Sequence, residues 1–296
     1  MRNAIIILVH QLPEQVNIFL NQLLKATNMD IYIHINKRYD SIREQLLKDE
    51  RIIIPSDNVE ITWGSDEILK AILLMFRHIE ESGNEYGHVL INTGQDLLVK
   101  KGLDDYLEAN KKQIFFEGYQ QDARRRAFLL YNWPSQYRQL MDSKWNPNKI
   151  LRRLRIELFT RGWPFGKKKL SVDTKKIVFY RNWFWGAIPY EVMNYILDYT
   201  EKNTEYMGIY SNALVPEEGF FLTLIMRSQY NDWVHFVNGR SNSLTSVLSR
   251  SNGHPTVVKY EDIQEIDHSE FYFARKFDIR IDKKVIQYYN DKILNN

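Results

Sequence analysis

Cysteine is absent from the 296 residues, which excludes disulfides, thiolate metal sites and cysteine nucleophiles and is compatible with a reducing compartment. No apolar run approaches the ~18 residues that a membrane span needs. The opening Met1-Arg2-Asn3 followed by Ala4 to Val9 is too short for a span and lacks the small-residue cleavage site of a secretion signal. Ile5 to Val9 therefore reads as a first buried strand. A large excess of one charge is also missing: the formal net charge of +3 is too small to point to a nucleic-acid partner. Several catalytic signatures do not occur: no Gly-X-Ser-X-Gly elbow, no phosphate-cradling glycine loop ending in Lys-Ser or Lys-Thr, and no His-Glu-X-X-His. Without an Asp-X-Asp, the chain also lacks a common acidic grip on a divalent ion at a nucleotide diphosphate.

What is present is an ordinary globular balance, 44% hydrophobic and 26% charged, enough to bury one large core or two modest ones. Short β-branched or apolar runs first alternate with longer amphipathic ones, the pattern of βαβ units and a largely parallel sheet. Strands are expected over Ala4–Val9, Asp30–Ile35, Arg51–Ile54 and His88–Ile91. Pro13 suits the first turn of a helix whose Val16, Phe19, Leu20, Leu23 and Leu24 line one face. Ser65 is placed to cap a second helix carrying Ile68, Leu69, Ile72, Leu73, Met75 and Phe76, with Asp66 and Glu67 at its positive end. Ligands of such open sheets bind beyond the carboxyl ends of the strands, so residues 1–105 are expected to form a nucleotide-binding half. From residue 106 onward the alternation loosens into aromatic, polar and basic segments suited to an acceptor-binding and catalytic half. A strand-like run from Ile177 to Trp185 leads into a helix from Pro189, and the Ser-, Asn- and Gly-rich 238–252 reads as a mobile loop.

Two clusters suit chemistry. Val215-Pro216-Glu217-Glu218-Gly219 places two carboxylates after a proline and before the apolar Phe220, Phe221, Leu224 and Ile225. Proline and acids stabilise a helix start whether or not they catalyse anything, and a carboxylate at a helix mouth can also be a general base. Phe273-Ala274-Arg275-Lys276-Phe277-Asp278 sets two cations among aromatics, either a surface pair or a source of positive charge for a departing diphosphate. In a strand the two cations point to opposite sides, so only one faces a given ligand. His10 and His34 close the first two strands, where each can hold a loop or touch a ligand. Between Arg152 and Lys176, basic residues alternate with Phe159, Trp163 and Phe165. That stretch is either a solvated loop or an interfacial patch for anionic lipid or a lipid-linked acceptor.

Val9-His10 with Pro13-Glu14-Gln15, Tyr32 to Lys37, Trp63-Gly64-Ser65, Gly94-Gln95-Asp96, Trp183 to Tyr190, Pro216-Glu217-Glu218 with Phe220, Phe221 and Thr223, and Phe273 to Asp278 follow in the order seen in glycosyltransferase family 14. Over residues 5 to about 279 the chain resembles this family, which includes the core-2/I-branching β-1,6-N-acetylglucosaminyltransferases and the peptide O-xylosyltransferases. The resemblance implies one GT-A-like catalytic domain over residues 1–296. Its fold is α/β, with a Rossmann-like, mainly parallel sheet and a C-terminal acceptor- and diphosphate-binding part. The resemblance also implies a UDP-sugar donor, inversion at the anomeric carbon, and neither metal nor other cofactor. By it, Glu218 is the catalytic base and Lys276 contacts the UDP diphosphate. A supporting arginine falls near Gly253, where Arg250 is the nearest candidate; His10, Asp96 and Arg275 belong beside the donor. The family's His-Val-Asp is here His34-Ile35-Asn36, and the asparagine keeps hydrogen-bonding reach near the uracil while adding a donor and losing the charge.

Acceptor contacts are assigned to Glu117, Arg124, Trp133 and Trp183, because aromatic faces stack on pyranose rings and charged groups fix hydroxyls. The expected partners are a UDP-sugar, first of all UDP-N-acetylglucosamine, and a glycan or lipid-linked glycan. The absence of cysteine and of a signal points to a bacterial cytoplasmic enzyme of surface-polysaccharide assembly, held peripherally at the inner membrane face through residues 152–176. Other readings stay open: a transferase of another UDP-hexose or of UDP-xylose, a non-catalytic nucleotide- or carbohydrate-binding module, and a membrane-peripheral scaffold.

Overall fold

The computed structural model describes residues 1–133, 147–248 and 255–295, without the side chains of residues 123 and 124. Its strands are β1 (Ala4–Val9), β2 (Asp30–Ile35), β3 (Ile52–Ile53), β4 (His88–Thr93), β5 (Asp96–Leu98), β6 (Gly118–Gln120), β7 (Tyr180–Asn182), β8 (Gly186–Pro189), β9 (Phe236–Val237), β10 (Arg240–Ser241), β11 (Thr245–Val247) and β12 (Phe273–Arg275). Its helices are α1 (Pro13–Ala26), α2 (Glu67–Glu81), α3 (Leu103–Ala109), α4 (Ala123–Leu130), α5 (Pro147–Thr160), α6 (Tyr190–Lys202), α7 (Thr204–Met207), α8 (Glu217–Ile225), α9 (Ile263–Asp267) and α10 (Lys283–Asn295).

The main sheet has the order β3-β2-β1-β4-β8, parallel except for β8, which runs antiparallel to β4. This is the α/β fold with a mainly parallel sheet that the alternation predicts. Its central strands are covered on both faces, which is why they read as continuous apolar runs. The period of two then divides β1. Ala4, Ile6 and Leu8 join an apolar cluster with α2, α6 and α8; Ile5, Ile7 and Val9 join another with α1, α10 and β12. A second sheet, β11-β12-β5, brings residues 96–98 and 273–275 side by side across most of the chain.

Three local expectations change. Ile177 to Trp185 is not one strand: β7 pairs with β6, the chain bends, and β8 starts at Gly186 on the main sheet. A side chain at Gly186 would collide with the Phe115 carbonyl oxygen and the Phe116 ring, so only glycine lets β8 pass. Ser65 does not cap α2; its hydroxyl turns back to the Thr62 carbonyl at 2.6 Å, and the residue at the helix boundary is Asp66. The 238–252 segment contains β10 and β11, with residues 249–254 outside the described set. Ser241 fixes this segment by donating to the Phe116 carbonyl oxygen and accepting from the Gly118 N–H at 2.9 Å. Among the described residues no helix is long and apolar enough to cross a membrane.

Candidate active site

Because β1, β2 and β4 are parallel, their carboxyl ends share one edge, and the turns beyond them open onto a cleft of about 840 Å³. That is within the usual size of a small-ligand site. His10, Asn36, Thr93 and Gln95 line it from this edge, with Arg275 and Lys276 arriving from the end of β12. The facing wall comes from β6 and β7 and from α4, α5 and the start of α8. Strand alternation does not separate Arg275 from Lys276: β12 ends at Arg275, and both side chains line the cleft.

A row of stacked groups forms one side of this cleft. Glu218 accepts two bonds on Oε2 from Arg181, at 3.0 Å from Nε and 2.7 Å from Nη2. The Arg181 guanidinium lies 5.2 Å from the centre of the Trp183 ring, and Trp183 stacks on Trp185 at 5.0 Å with 11° between planes. The Arg275 guanidinium covers the other face of the row, 3.8 Å from the Trp185 ring centre, and its Nη1 lies 3.6 Å from Asp96 Oδ1. An acid–arginine pair thus closes each end of a two-tryptophan stack. Arg181, Trp183 and Trp185 sit at i, i+2 and i+4, the spacing that puts side chains on one side of an extended chain.

The two ends differ in electrostatics. Around Arg181, burial lowers the pKa but is outweighed by Glu218 and Tyr119, so the guanidinium is more firmly charged than usual. Glu217 is buried; burial and then the Glu218 charge hold it well above the ordinary carboxylate range, and its Oε2 has no hydrogen-bond partner. Of the adjacent acids, one is therefore kept toward its neutral form while the other is tied to an arginine. At the far end Asp96 is fully buried, accepting from the Thr93 N–H at 2.8 Å, Thr93 Oγ1 at 3.2 Å and Asn92 at 3.1 Å. Burial pushes Asp96 up against the pull of Arg275 and pushes Arg275 down against the pull of Asp96. At 3.6 Å the pair is coulombic and not hydrogen-bonded, and Arg275 Nε and Nη1 lack hydrogen-bond partners. Trp185 Nε1 and Gln95 Nε2, also on cleft-lining residues, are unpartnered too. Each such buried donor costs about 1–3 kcal/mol, more when charged, so together they form a site that an anionic acceptor of hydrogen bonds would stabilise.

His34 serves the cleft indirectly. Its Nε2 accepts from the Val59 N–H at 3.0 Å, which requires the neutral ring, and burial lowers its pKa to about 4. Two residues on, Asn36 Oδ1 accepts from Ile61 N–H at 3.3 Å and Nδ2 donates to Ile61 O at 2.9 Å. An aspartate has no N–H for that second bond, so the asparagine's extra donor holds the 59–64 segment against the cleft. The folded-state pKa of His34 lies below the unfolded value near 6.5, so its contribution to stability is complete above pH 6.5 and is lost as pH falls toward 4. We expect His34→Gln to remove on the order of 3 kcal/mol of the wild type's stability loss between pH 6.5 and 4, read from denaturant midpoints across that range. Parallel pH curves for the two proteins would refute this.

The structure brings Glu218, Lys276, Arg275, His10, Asn36, Glu117 and Trp183 to one cleft. His10 is held below its ordinary pKa, first by the protein around it and then by Lys276 and Arg275. Lys276 is lowered by burial and by the Arg275 charge. Glu117 is raised by burial, partly opposed by Arg240 at 3.3 Å. Asp96 lies behind Arg275 and not on the cleft surface. Trp133 does not belong with them: it is fully buried against Phe159 and Phe128, and its indole donates to the Ala127 carbonyl at 3.3 Å. Its ring packs the core under α4 and α5 and cannot stack on a sugar. Arg250 and the Arg124 side chain lie outside the described residues. Sequence reasoning gave no site role to Arg181, Trp185 and Arg125, all on the cleft, where Gln95 of the Gly94-Gln95-Asp96 motif and Arg152 of the basic stretch join them; the i, i+2, i+4 row was the signal for the first two.

No family model matches the chain, and no curated protein matches it by sequence. Among solved structures it is similar to the mannosyltransferase Ktr4p of S. cerevisiae, with 10% identity over 74% of this chain and 66% of that one, at a TM-score of 0.31. A putative glucose-1-phosphate thymidylyltransferase from Bacillus anthracis, in complex with a sucrose, gives 12% identity over 66% of this chain and 74% of that one, at a TM-score of 0.28. The chain spans 66% of the mannosyltransferase's length. At these scores neither likeness carries a functional argument, and the cleft itself has to.

Proposed function

We propose that the protein is an inverting, metal-independent glycosyltransferase of the family 14 type, moving a sugar from a UDP-sugar to a hydroxyl of a glycan acceptor. The observation that carries this reading is the row of groups with a carboxylate at one end and unpartnered cationic donors at the other. A nucleotide diphosphate meets Lys276, Arg275, Gln95 and the Trp185 N–H beyond the strand ends, and the sugar lies along the tryptophans. Glu218, oriented by Arg181, takes the proton of the acceptor hydroxyl as its oxygen bonds the anomeric carbon. The carbon–oxygen bond to the β-phosphate breaks in the same step, and its electron pair leaves with UDP. Lys276 and Arg275 stabilise the charge that grows there, so they act on the barrier and not on binding alone. Protein cations take the part that a divalent ion plays in other nucleotide-sugar sites. The setting that fits is assembly of a bacterial surface polysaccharide at the cytoplasmic side, with N-acetylglucosamine the first sugar to test.

UDP release from UDP-N-acetylglucosamine, UDP-glucose, UDP-galactose and UDP-xylose should be donor-selective and should persist in EDTA, with manganese adding less than about twofold. Release that requires manganese would remove the cation argument. Release with no donor, together with a UDP-induced rise in melting temperature, would favour a binding module instead.

A further inference from the structure

Helix α5 turns Arg152 and Ile156 to the cleft and buries Phe159 in the core. Its opposite side is solvent-facing and apolar: Ile150, Leu151 and Leu154 are 59%, 45% and 55% exposed. At 3.6 residues per turn these three and Leu158 fall within roughly 100° of arc, an apolar stripe that meets no core among the described residues. The chain after α5 folds back over its end, Gly162 N–H bonding Phe159 O and Trp163 N–H bonding Leu158 O, both at 3.0 Å. In the turn beyond the helix end Trp163 and Phe165 are also exposed, their rings 5.7 Å apart. Scattered exposed apolar residues need no explanation, whereas three on one helix face, followed by two exposed aromatics in the next turn, mark an interaction surface.

Charge selects the partner. Residues 147–176 hold ten Lys and Arg against Glu157 and Asp173, a net +8 in a chain whose total is +3, so the remaining residues sum to −5. Lys168 is the exception in direction: its ammonium is turned inward to Ile209 O at 2.7 Å, and burial lowers its pKa to about 7. A second copy of the chain is a poor occupant, since a two-fold interface would set this positive surface against itself. We infer that α5 and the Trp163–Phe165 turn dock on an anionic lipid bilayer, with the helix lying in the headgroup plane. The anchors are Ile150, Leu151, Leu154, Trp163 and Phe165; Phe159, which the sequence groups with the aromatics, is buried and takes no part. Docking itself does not rest on the transferase reading. What rests on it is the consequence: α5 would stand between the bilayer and the cleft that Arg152 and Ile156 line, holding Glu218 about one helix width from a lipid-linked glycan at the membrane surface.

The test is flotation of the full chain with phosphatidylcholine vesicles, with and without phosphatidylglycerol, in the absence of any UDP-sugar. Binding is expected only with phosphatidylglycerol, and Leu151→Glu/Leu154→Glu should lower the bound fraction about tenfold or more. Ile281→Glu, at an apolar residue of similar exposure elsewhere, should leave binding unchanged. Because the exchanged positions are exposed, melting temperature and UDP release without acceptor should stay at wild-type levels in both variants. Wild type that ignores phosphatidylglycerol, or a double variant that binds as well as wild type, would overturn the inference. A wild-type dimer that the double variant turns into a monomer would overturn it in favour of a second copy.

Discussion

Glu218→Gln should lower UDP-sugar turnover by about 10²- to 10⁴-fold, the range typical of losing a general base, while UDP binding stays close to wild type. Gln keeps the shape and can still accept from Arg181, but it cannot take a proton from a hydroxyl at neutral pH. In the proposed mechanism the nucleotide contacts lie at the far end of the tryptophan stack, so binding and chemistry should separate. Single-turnover UDP release measures the chemistry, and the UDP-induced rise in melting temperature measures binding. Glu217→Gln is the matched control: that carboxyl is already biased to its neutral form by burial and by the Glu218 charge, so turnover should hold within a few-fold. Should the two variants lose activity equally, or Glu218→Gln keep more than about a third of it, Glu218 is not the base.

Asp96→Asn should be the most destabilising of the conservative exchanges at the cleft. Asp96 is completely buried and Arg275 nearly so, and each charge is disfavoured there without the other. Removing one member of such a pair costs about 3–5 kcal/mol, because the remaining charge stays buried without compensation. A loss at the lower end corresponds to a fall of roughly 6–12 °C in melting temperature. A diphosphate would supply the missing negative charge, so saturating UDP should raise the melting temperature of Asp96→Asn by more degrees than that of wild type. A melting temperature within a degree or two of wild type would mean that Arg275 does not depend on Asp96.

How much of this was legible beforehand depends on whether the signal was local. The buried parallel strands announced themselves because burial on both faces leaves no polar position to blur the run from Ile5 to Val9. Glu217 and Glu218 were visible as a helix start for similarly local reasons, as was the basic, aromatic character of 152–176. The pairing of Glu218 with Arg181 was not, since 37 residues separate them and nothing in either neighbourhood encodes the meeting. Trp133 misled for the opposite reason. Its polar neighbour Asn132 and the proline after it make it look like a surface turn, while the ring is claimed by Phe159 from α5. Phe159 itself was grouped with surface aromatics, although its helical position points it at that same core. The break between β7 and β8 has no local signal either, and the close approach of Phe115 and Phe116 to Gly186 appears only in the fold.

The stacked row from Glu218 through Arg181, Trp183, Trp185 and Arg275 to Asp96 also bears on how this protein can change over evolution. Each inner member is held by its neighbours on both sides, so the effects of substitutions along the row should not simply add. Exchanges along it are therefore expected to need compensating partners, whereas cleft residues outside the row should be freer to change one at a time. The 59–64 segment and Arg240 on a short hairpin line the cleft outside the row.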